Sequence, residues 1–338
     1  MQPANPILVE VTRGPAVESV HRGSAVIVDR RGRVVRFWGD MNQAIFPRSA
    51  VKSLQAIPLV RTGAARALDL SPEEIAMACA SHGGEPVHTA TVSEWLGRIG
   101  LGPRDLECGA HPPTDSDARL GLAGLGQAPS PLHNNCSGKH AGFLSVCRHL
   151  GFPARGYTRA DHPVQELVRD TLEEFTGCPL RDAARGVDGC GIPVFGIPLR
   201  ALATAMMKFS APEQLDEPTA EAVRTIRGAM TGHPYLVAGR DQFCTLVMDA
   251  LAPDVVVKTG AEGTCCAAIL NQGLGIAIKI DDGAARASEV AAGAILRFME
   301  AMDDSHYAAL RSTLEPDVLN AAGLKVGVIR ASATLTQD

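Results

Sequence analysis

Lysine is scarce in this chain: of its 32 basic residues only six are lysine, at positions 52, 139, 208, 258, 279 and 325, and arginine supplies the rest. Aromatic residues are equally thin at 4%, so a core drawn from the 46% apolar residues must consist mainly of Ala, Val, Leu and Ile. That apolar fraction over 338 residues excludes a disordered chain. No positive excess exists; the formal net charge of −5 excludes the electrostatic footprint of a nucleic-acid or anionic-membrane binder. Long hydrophobic runs are missing too. The most apolar stretch, between Glu262 and Lys279, is 16 residues, short of the ~20 that a spanning helix needs. The start, MQPANPILVEVTRGP, lacks a basic segment followed by an apolar one. The expectation is a soluble, cytoplasmic protein with no membrane and no nucleic-acid partner. Nine cysteines, an odd number spread through the chain, fit reduced thiols rather than a disulfide framework.

The lysine scarcity is itself a pointer. Where arginine carries ordinary surface charge, the remaining lysines are enriched for tasks that guanidinium cannot perform, because an ammonium can lose its proton and act as a base or a ligand. Lys52, Lys139 and Lys258 each sit in a motif, whereas Lys208 and Lys325 do not and Lys279 has no assignable role.

Patterning predicts strands at 7–11, 24–28 and 34–38, with Gly32 in the hairpin loop of the last two. A helix follows Pro47, where Ala50, Leu54 and Ile57 recur at helical spacing. Ser71, Pro72 and Glu74 spell a capping box at the start of the next helix. Further helices are predicted at 88–99, 140–150, 163–176, 198–209, 217–230 and 240–250. Asp161 caps the one from Pro163, and Gly177 stops it. Strands return at 255–258, 264–270 and 275–280, then a helix at 285–301 and a strand at 326–334. Strands at both ends and helices between them predict an α+β fold in one catalytic unit, 1–338: a sheet core from 1–75 and 251–338, and a helical lobe from 76–250.

Ser49-Ala50-Val51-Lys52 is an S-x-x-K at a helix start. On a helix these two side chains share a face, and a serine needs a neighbouring base to become a nucleophile. Alone the motif is weak. It gains weight from Lys258-Thr259-Gly260 at the end of a predicted strand, since this pairing and order are those of the serine penicillin-recognising enzymes. A true member of that group would carry an S-D-N element, but Ser116-Asp117 is followed by Ala118. Other motifs dissolve on inspection. Gly138-Lys139 is followed by His140 rather than the Ser or Thr of a phosphate-binding loop. Gly273-Leu274-Gly275 lacks the third glycine of a dinucleotide fingerprint. Cys265 and Cys266, adjacent in a strand, point to opposite faces. Cys108 and His111 are better read as core than as a metal pair.

Five segments are recognisable together: 46–52 (FPRSAVK), 78–82 (ACASH), 135–140 (NCSGKH), 188–193 (DGCGIP) and 258–263 (KTGAEG). In this order they make the chain resemble the class 3, rhizobial-type L-asparaginases over nearly its full length. The resemblance implies a β-lactamase/penicillin-binding-protein-like fold, a homodimer, and hydrolysis of the side-chain amide of L-asparagine to L-aspartate and ammonia. By that resemblance Ser49 is the nucleophile, Lys52 its paired base, Ser81 the second serine and Lys258 the second lysine. Two ammonium groups around two hydroxyls make one amine easier to neutralise, and that amine can accept the Ser49 proton.

The resemblance also implies a Zn2+ site formed by Cys136, Lys139 and Cys190, a set that spacing alone would not suggest because zinc is usually held by Cys, His and carboxylates. Arg48 is then a candidate for the substrate α-carboxylate and Asp188 for its α-amino group, with His140 nearby. Two alternatives stand beside this reading. A serine-dependent glutaminase shares the chemistry and differs by one substrate methylene, worth only ~1–3 kcal/mol of discrimination. A non-catalytic zinc or thiol protein would use the same cysteines for structure alone.

Overall fold

The computed structural model describes residues 4–336. The chain forms two compact units, one from Met1–Ala50, Gly196–Ala211 and Ala250–Asp338, the other from Val51–Phe195 and Pro212–Asp249. The class is α+β.

The first unit is built on an eight-stranded antiparallel sheet. Its strands are β1 (Ile7–Arg13), β2 (Ala16–Val28), β3 (Val34–Trp38), β4 (Val255–Gly260), β5 (Thr264–Ile269), β6 (Leu274–Ile280), β7 (Asp317–Leu319) and β8 (Lys325–Ala331). The spatial order is β7-β8-β1-β2-β6-β5-β4, with β3 paired to β2. Both chain ends therefore meet in one sheet, where β1 pairs β8 with Val9 opposite Ala331. Every residue of β5 is buried, which fits its run of apolar and small residues. The helix Leu199–Ser210 packs on β6, β2 and β5. Gly275 makes that packing possible: a Cβ there would lie 2.1 Å from Ala203 O and Met207 N. The glycine that fails as part of a nucleotide loop has a packing reason instead. The predicted strand at 326–334 ends at Ala331 and passes into a one-turn helix, Ala333–Thr336.

The second unit is helical apart from a short hairpin. The helix expected after Pro47 is a chain of single turns, Lys52–Gln55, Ile57–Arg61 and Ala64–Ala67. Pro58 and a left-handed Gly63 (φ +82°) interrupt it. These turns pack with the helices Ser137–Leu150, Pro163–Thr176 and Glu217–Gly232 of the same unit. That packing groups 51–75 with the helices, and 196–211 with the sheet, where sequence patterning drew the line at 75 and 251.

The capping box forms as expected at Pro72–Ala78: the Glu74 amide donates to Ser71 Oγ at 3.4 Å, and the Ser71 amide to Glu74 Oε2 at 3.0 Å. At Pro163–Thr176 the cap is His162 rather than Asp161. His162 Nδ1 accepts from the Val164 amide at 3.2 Å, while Asp161 is taken by Arg159 at 2.9 Å. Gly177 ends that helix at φ +69°. Besides the short turn Pro234–Ala238, two longer helices escaped prediction. Ser116–Gly124 buries none of its residues, so it has no apolar periodicity to read. Asp304–Leu314 buries only Leu310 and Leu314. Among the described residues no helix is long and apolar enough to cross a membrane.

Candidate active site

Lys52 is wholly buried. Its ammonium donates to Ser81 Oγ at 2.9 Å, to Cys136 Sγ at 3.1 Å, and to the Ala80 carbonyl. Three acceptors thus converge on the amine at the end of its apolar stem. Ser81 follows the helix Pro72–Ala78 and is held by its own amide, which donates to the Val237 carbonyl at 2.9 Å. Cys136 stands at the start of the helix Ser137–Leu150, where its amide donates to Asn134 Oδ1 at 2.9 Å. Asn134 in turn donates to the Cys108 carbonyl at 2.8 Å. The two helices meet closely at Gly138, where a Cβ would lie 2.3 Å from Met77 O. The glycine within the Cys136–His140 segment is thus what allows Cys136 and Lys139 to approach the segment bearing Ser81.

Cys190 arrives on the hairpin Arg185–Val187/Pro193–Phe195. Its turn is closed by Gly191 (φ +90°), whose amide donates to the Asp188 carbonyl at 2.8 Å. Lys139 Nζ donates to Cys190 Sγ at 3.1 Å, and Cys190 lies 3.7 Å from Asp188 Oδ2. The hydrogen bond from Cys190, aided by the charges of Lys52 and Lys139, holds the Cys136 thiol well below its ordinary range. The same hydrogen bond, together with burial, pushes the Cys190 thiol far up. Burial alone would lower Lys139, but the charges of Cys136, Cys190 and Asp188 outweigh it and raise its pKa. Lys52, Ser81, Cys136, Lys139, Cys190 and Asp188 therefore form one connected network, half-buried at Ser81 and Asp188 and buried elsewhere.

Among the described residues no three His, Cys, Asp or Glu side chains converge as metal ligands. The zinc set expected here holds only two such residues, Cys136 and Cys190, with Lys139 as the third. These donors fit a soft divalent ion. All three are buried to 4% exposure or less, and the Cys136 thiol is the more easily ionised of the two. Binding would require the Cys190 proton and one Lys139 proton to leave.

In the sheet unit, Ser49 is half-buried within the single turn Arg48–Val51. Arg48 there adopts a left-handed φ of +51°, a strained conformation for a residue with a side chain and one often retained at functional sites. Gly260 of the Lys258-Thr259-Gly260 segment backs directly on this turn. A Cβ at Gly260 would stand 2.7 Å from Pro47 O, 3.0 Å from Ala50 N and 3.3 Å from Ser49 N. The strand carrying Lys258 is thereby seated against the backbone of Ser49. Lys258 is buried and donates to its own neighbour's carbonyl, Thr259 O, at 2.9 Å. The chain passes between the two units at Ala50–Val51, and Lys52 opens the first helical turn beyond.

His140 is fully buried, its Nδ1 hydrogen-bonded with Tyr157 OH at 2.7 Å. Burial, then the charges of Lys139 and Lys52, keep it neutral. It lies in the core with Tyr157 and Phe143 and presents no surface to a substrate. Sequence reading passed over His82. Its Nε2 pairs with Ser137 Oγ at 2.9 Å, its Nδ1 accepts the Gly84 amide at 3.1 Å, and its ring stacks on His88, which stacks on Tyr235. The visible signal was the crowding of seven of the ten histidines between 82 and 162. His111 accepts the Asn135 amide at 3.0 Å and Cys108 is buried, in keeping with a packing role for both.

No curated protein matches the chain. Among solved structures it is similar to a β-lactamase from Mycobacterium bovis: 13% identity over 82% of this chain and 94% of that one, TM-score 0.42. It is also similar to a D-alanine carboxypeptidase from Burkholderia cenocepacia, at 13% over 80% and 93%, TM-score 0.40. A third is simvastatin synthase from Aspergillus terreus, at 11% over 86% and 94%, TM-score 0.41. The model of the L-asparaginase II family matches residues 9–331. Matched over nearly its whole length, the chain belongs to the L-asparaginase II family and is a hydrolase of the asparaginase type.

Proposed function

We propose that this enzyme is an L-asparaginase that converts L-asparagine to L-aspartate and ammonia by serine–lysine nucleophilic catalysis. The observation that carries the reading is the buried Lys52 amine, 2.9 Å from Ser81 Oγ and three residues beyond Ser49 in sequence. Ser49 Oγ attacks the side-chain amide carbon and its proton passes to Lys52, which must first be neutral. In that state the Ser81 contact reverses, with the hydroxyl donating to the amine. Ser81 then relays the proton to the departing amide nitrogen, so ammonia leaves and an ester to Ser49 remains. Water cleaves the ester with Lys52 as base and restores the free serine. Lys258 supplies a second positive charge that favours a neutral Lys52. Arg48 pairs the substrate α-carboxylate, and Asp188 its α-amino group.

Cys136, Cys190 and Lys139 would hold zinc. Bound there, it supplies a fixed positive charge for placing the substrate's polar groups. The nine cysteines, none of them in a disulfide among the described residues, support a reducing, cytoplasmic setting, and the resemblance to class 3 asparaginases supports a homodimer. The test is ammonia release from L-asparagine and L-glutamine side by side, with Ser49→Ala as the blank. Higher kcat/KM on glutamine reassigns the substrate. No release from either, or release unaffected by Ser49→Ala, refutes the mechanism.

A further inference from the structure

Gln55, at the end of the Lys52–Gln55 turn, is 7% exposed, and its Oε1 is buried without a hydrogen-bond partner. It borders a cavity of about 10 Å³ together with Lys139, Pro58, Leu59, Gly142 and Phe143. That is the space one water molecule needs. Gln55 and Lys139 are the only polar side chains in the lining. The requirements of the two are complementary. The amide oxygen lacks a donor, and Lys139 Nζ has hydrogens beyond the one it gives to Cys190 at 3.1 Å. A water molecule can donate to the first and accept from the second.

We propose that one buried water fills this cavity and makes Gln55 a positioning residue, holding the Lys139 amine toward Cys190. The alternative of an empty cavity would leave a buried amide oxygen unpaired, which native folds avoid. Gln55 would thus set the direction of a side chain in the candidate site without touching substrate. The effect on turnover rests on the asparaginase reading above; the water itself does not.

The experiment is a crystal structure of the purified enzyme, at a resolution that orders internal waters, with three variants. Wild type and Gln55→Glu, which keeps the acceptor, should show a water within hydrogen-bond distance of residue 55 and Lys139 Nζ. Gln55→Leu should lose the water and release Lys139 Nζ from Cys190. Gly142→Ala removes the water by another route: its methyl would meet Ala78 Cβ at 3.4 Å and Leu59 Cδ2 at 3.6 Å, ordinary contacts among the cavity walls. This second variant decides the matter if Gln55→Leu fails to fold. In Gln55→Leu, KM for L-asparagine should rise about tenfold with kcat within about twofold, as for lost outer contacts to a ligand, and Gln55→Glu should restore it. A dry cavity in wild type overturns the proposal. So does Gln55→Leu with Lys139 unmoved and KM unchanged. Wild-type enzyme inert toward asparagine would remove the functional reading, and the crystallographic comparison alone would then decide the water.

Discussion

Gly138→Ala puts a methyl group where two helices leave no room. Its Cβ would stand 2.3 Å from Met77 O, 2.8 Å from Met77 C and 3.1 Å from Met77 Cβ. The obstacle is backbone, which cannot rotate aside, so the helices must part by roughly 0.7 Å to reach even the tightest tolerated contact, in an interior packed to crystal density. Overpacking of this kind costs ~1–3 kcal/mol, and the upper half of that range applies because no side chain can yield. Against it stands the helix-propensity gain of alanine over glycine, ~1 kcal/mol. The expected net loss is ~1–2 kcal/mol. Gly228→Ala, in the helix Glu217–Gly232, is the internal control. Its Cβ meets nothing within 4 Å, so it keeps the propensity gain and should be neutral or stabilising by up to ~1 kcal/mol. Urea unfolding of the two variants, compared at equal m, reads the difference directly. Because Cys136 and Lys139 flank position 138, Gly138→Ala should also raise KM for amide hydrolysis. Equal stability of the two variants would refute the account of this helix contact.

Lys52→Arg should lose amide hydrolysis nearly as completely as Ser49→Ala, since guanidinium cannot become the neutral base; near-normal turnover would count against the base assignment. Cys136→Ser or Cys190→Ser should abolish zinc uptake and raise KM more than it lowers stability, tested by elemental analysis of protein prepared without chelators; a full complement of metal in either variant would reject the ligand set. Cys178 is the one cysteine of the nine that is not buried, whereas burial pushes the thiols of Cys108, Cys147 and Cys266 up to about 12. Iodoacetamide at pH 8 should therefore modify Cys178 first in the native protein, and mass mapping that finds any of the other three ahead of it would contradict the packing described.

The residues themselves determined most of the elements, for local reasons. Ser71, Pro72 and Glu74 carry their helix start within four positions. Strands β4 to β6 announce themselves by runs of apolar and small residues, and Gly177 stops its helix by taking a left-handed φ that residues with a Cβ avoid. Meeting of both chain ends in one sheet was legible because strands lay at both ends and helices between them. The motifs around Ser49, Ser81, Cys136, Cys190 and Lys258 were legible as types and spacings, and they carried the family.

What only the tertiary structure decided were relations between segments distant in sequence. Lys52 meets Ser81 and Cys136 because the Pro72–Ala78 and Ser137–Leu150 helices close to backbone contact at Gly138, and no local pattern encodes that distance. The Cys136 thiol is held low and that of Cys190 pushed up by the hydrogen bond between them, a property of two segments brought together only in the fold. His140 reads as a neighbour of the site by adjacency to Lys139, but successive residues on a helix diverge by about 100°, and its ring turns into the core toward Tyr157. Gln55 carries no motif at all. Its significance rests on a buried, unpartnered amide oxygen in a residue that borders a space the size of one water, which exists only once the helices have packed.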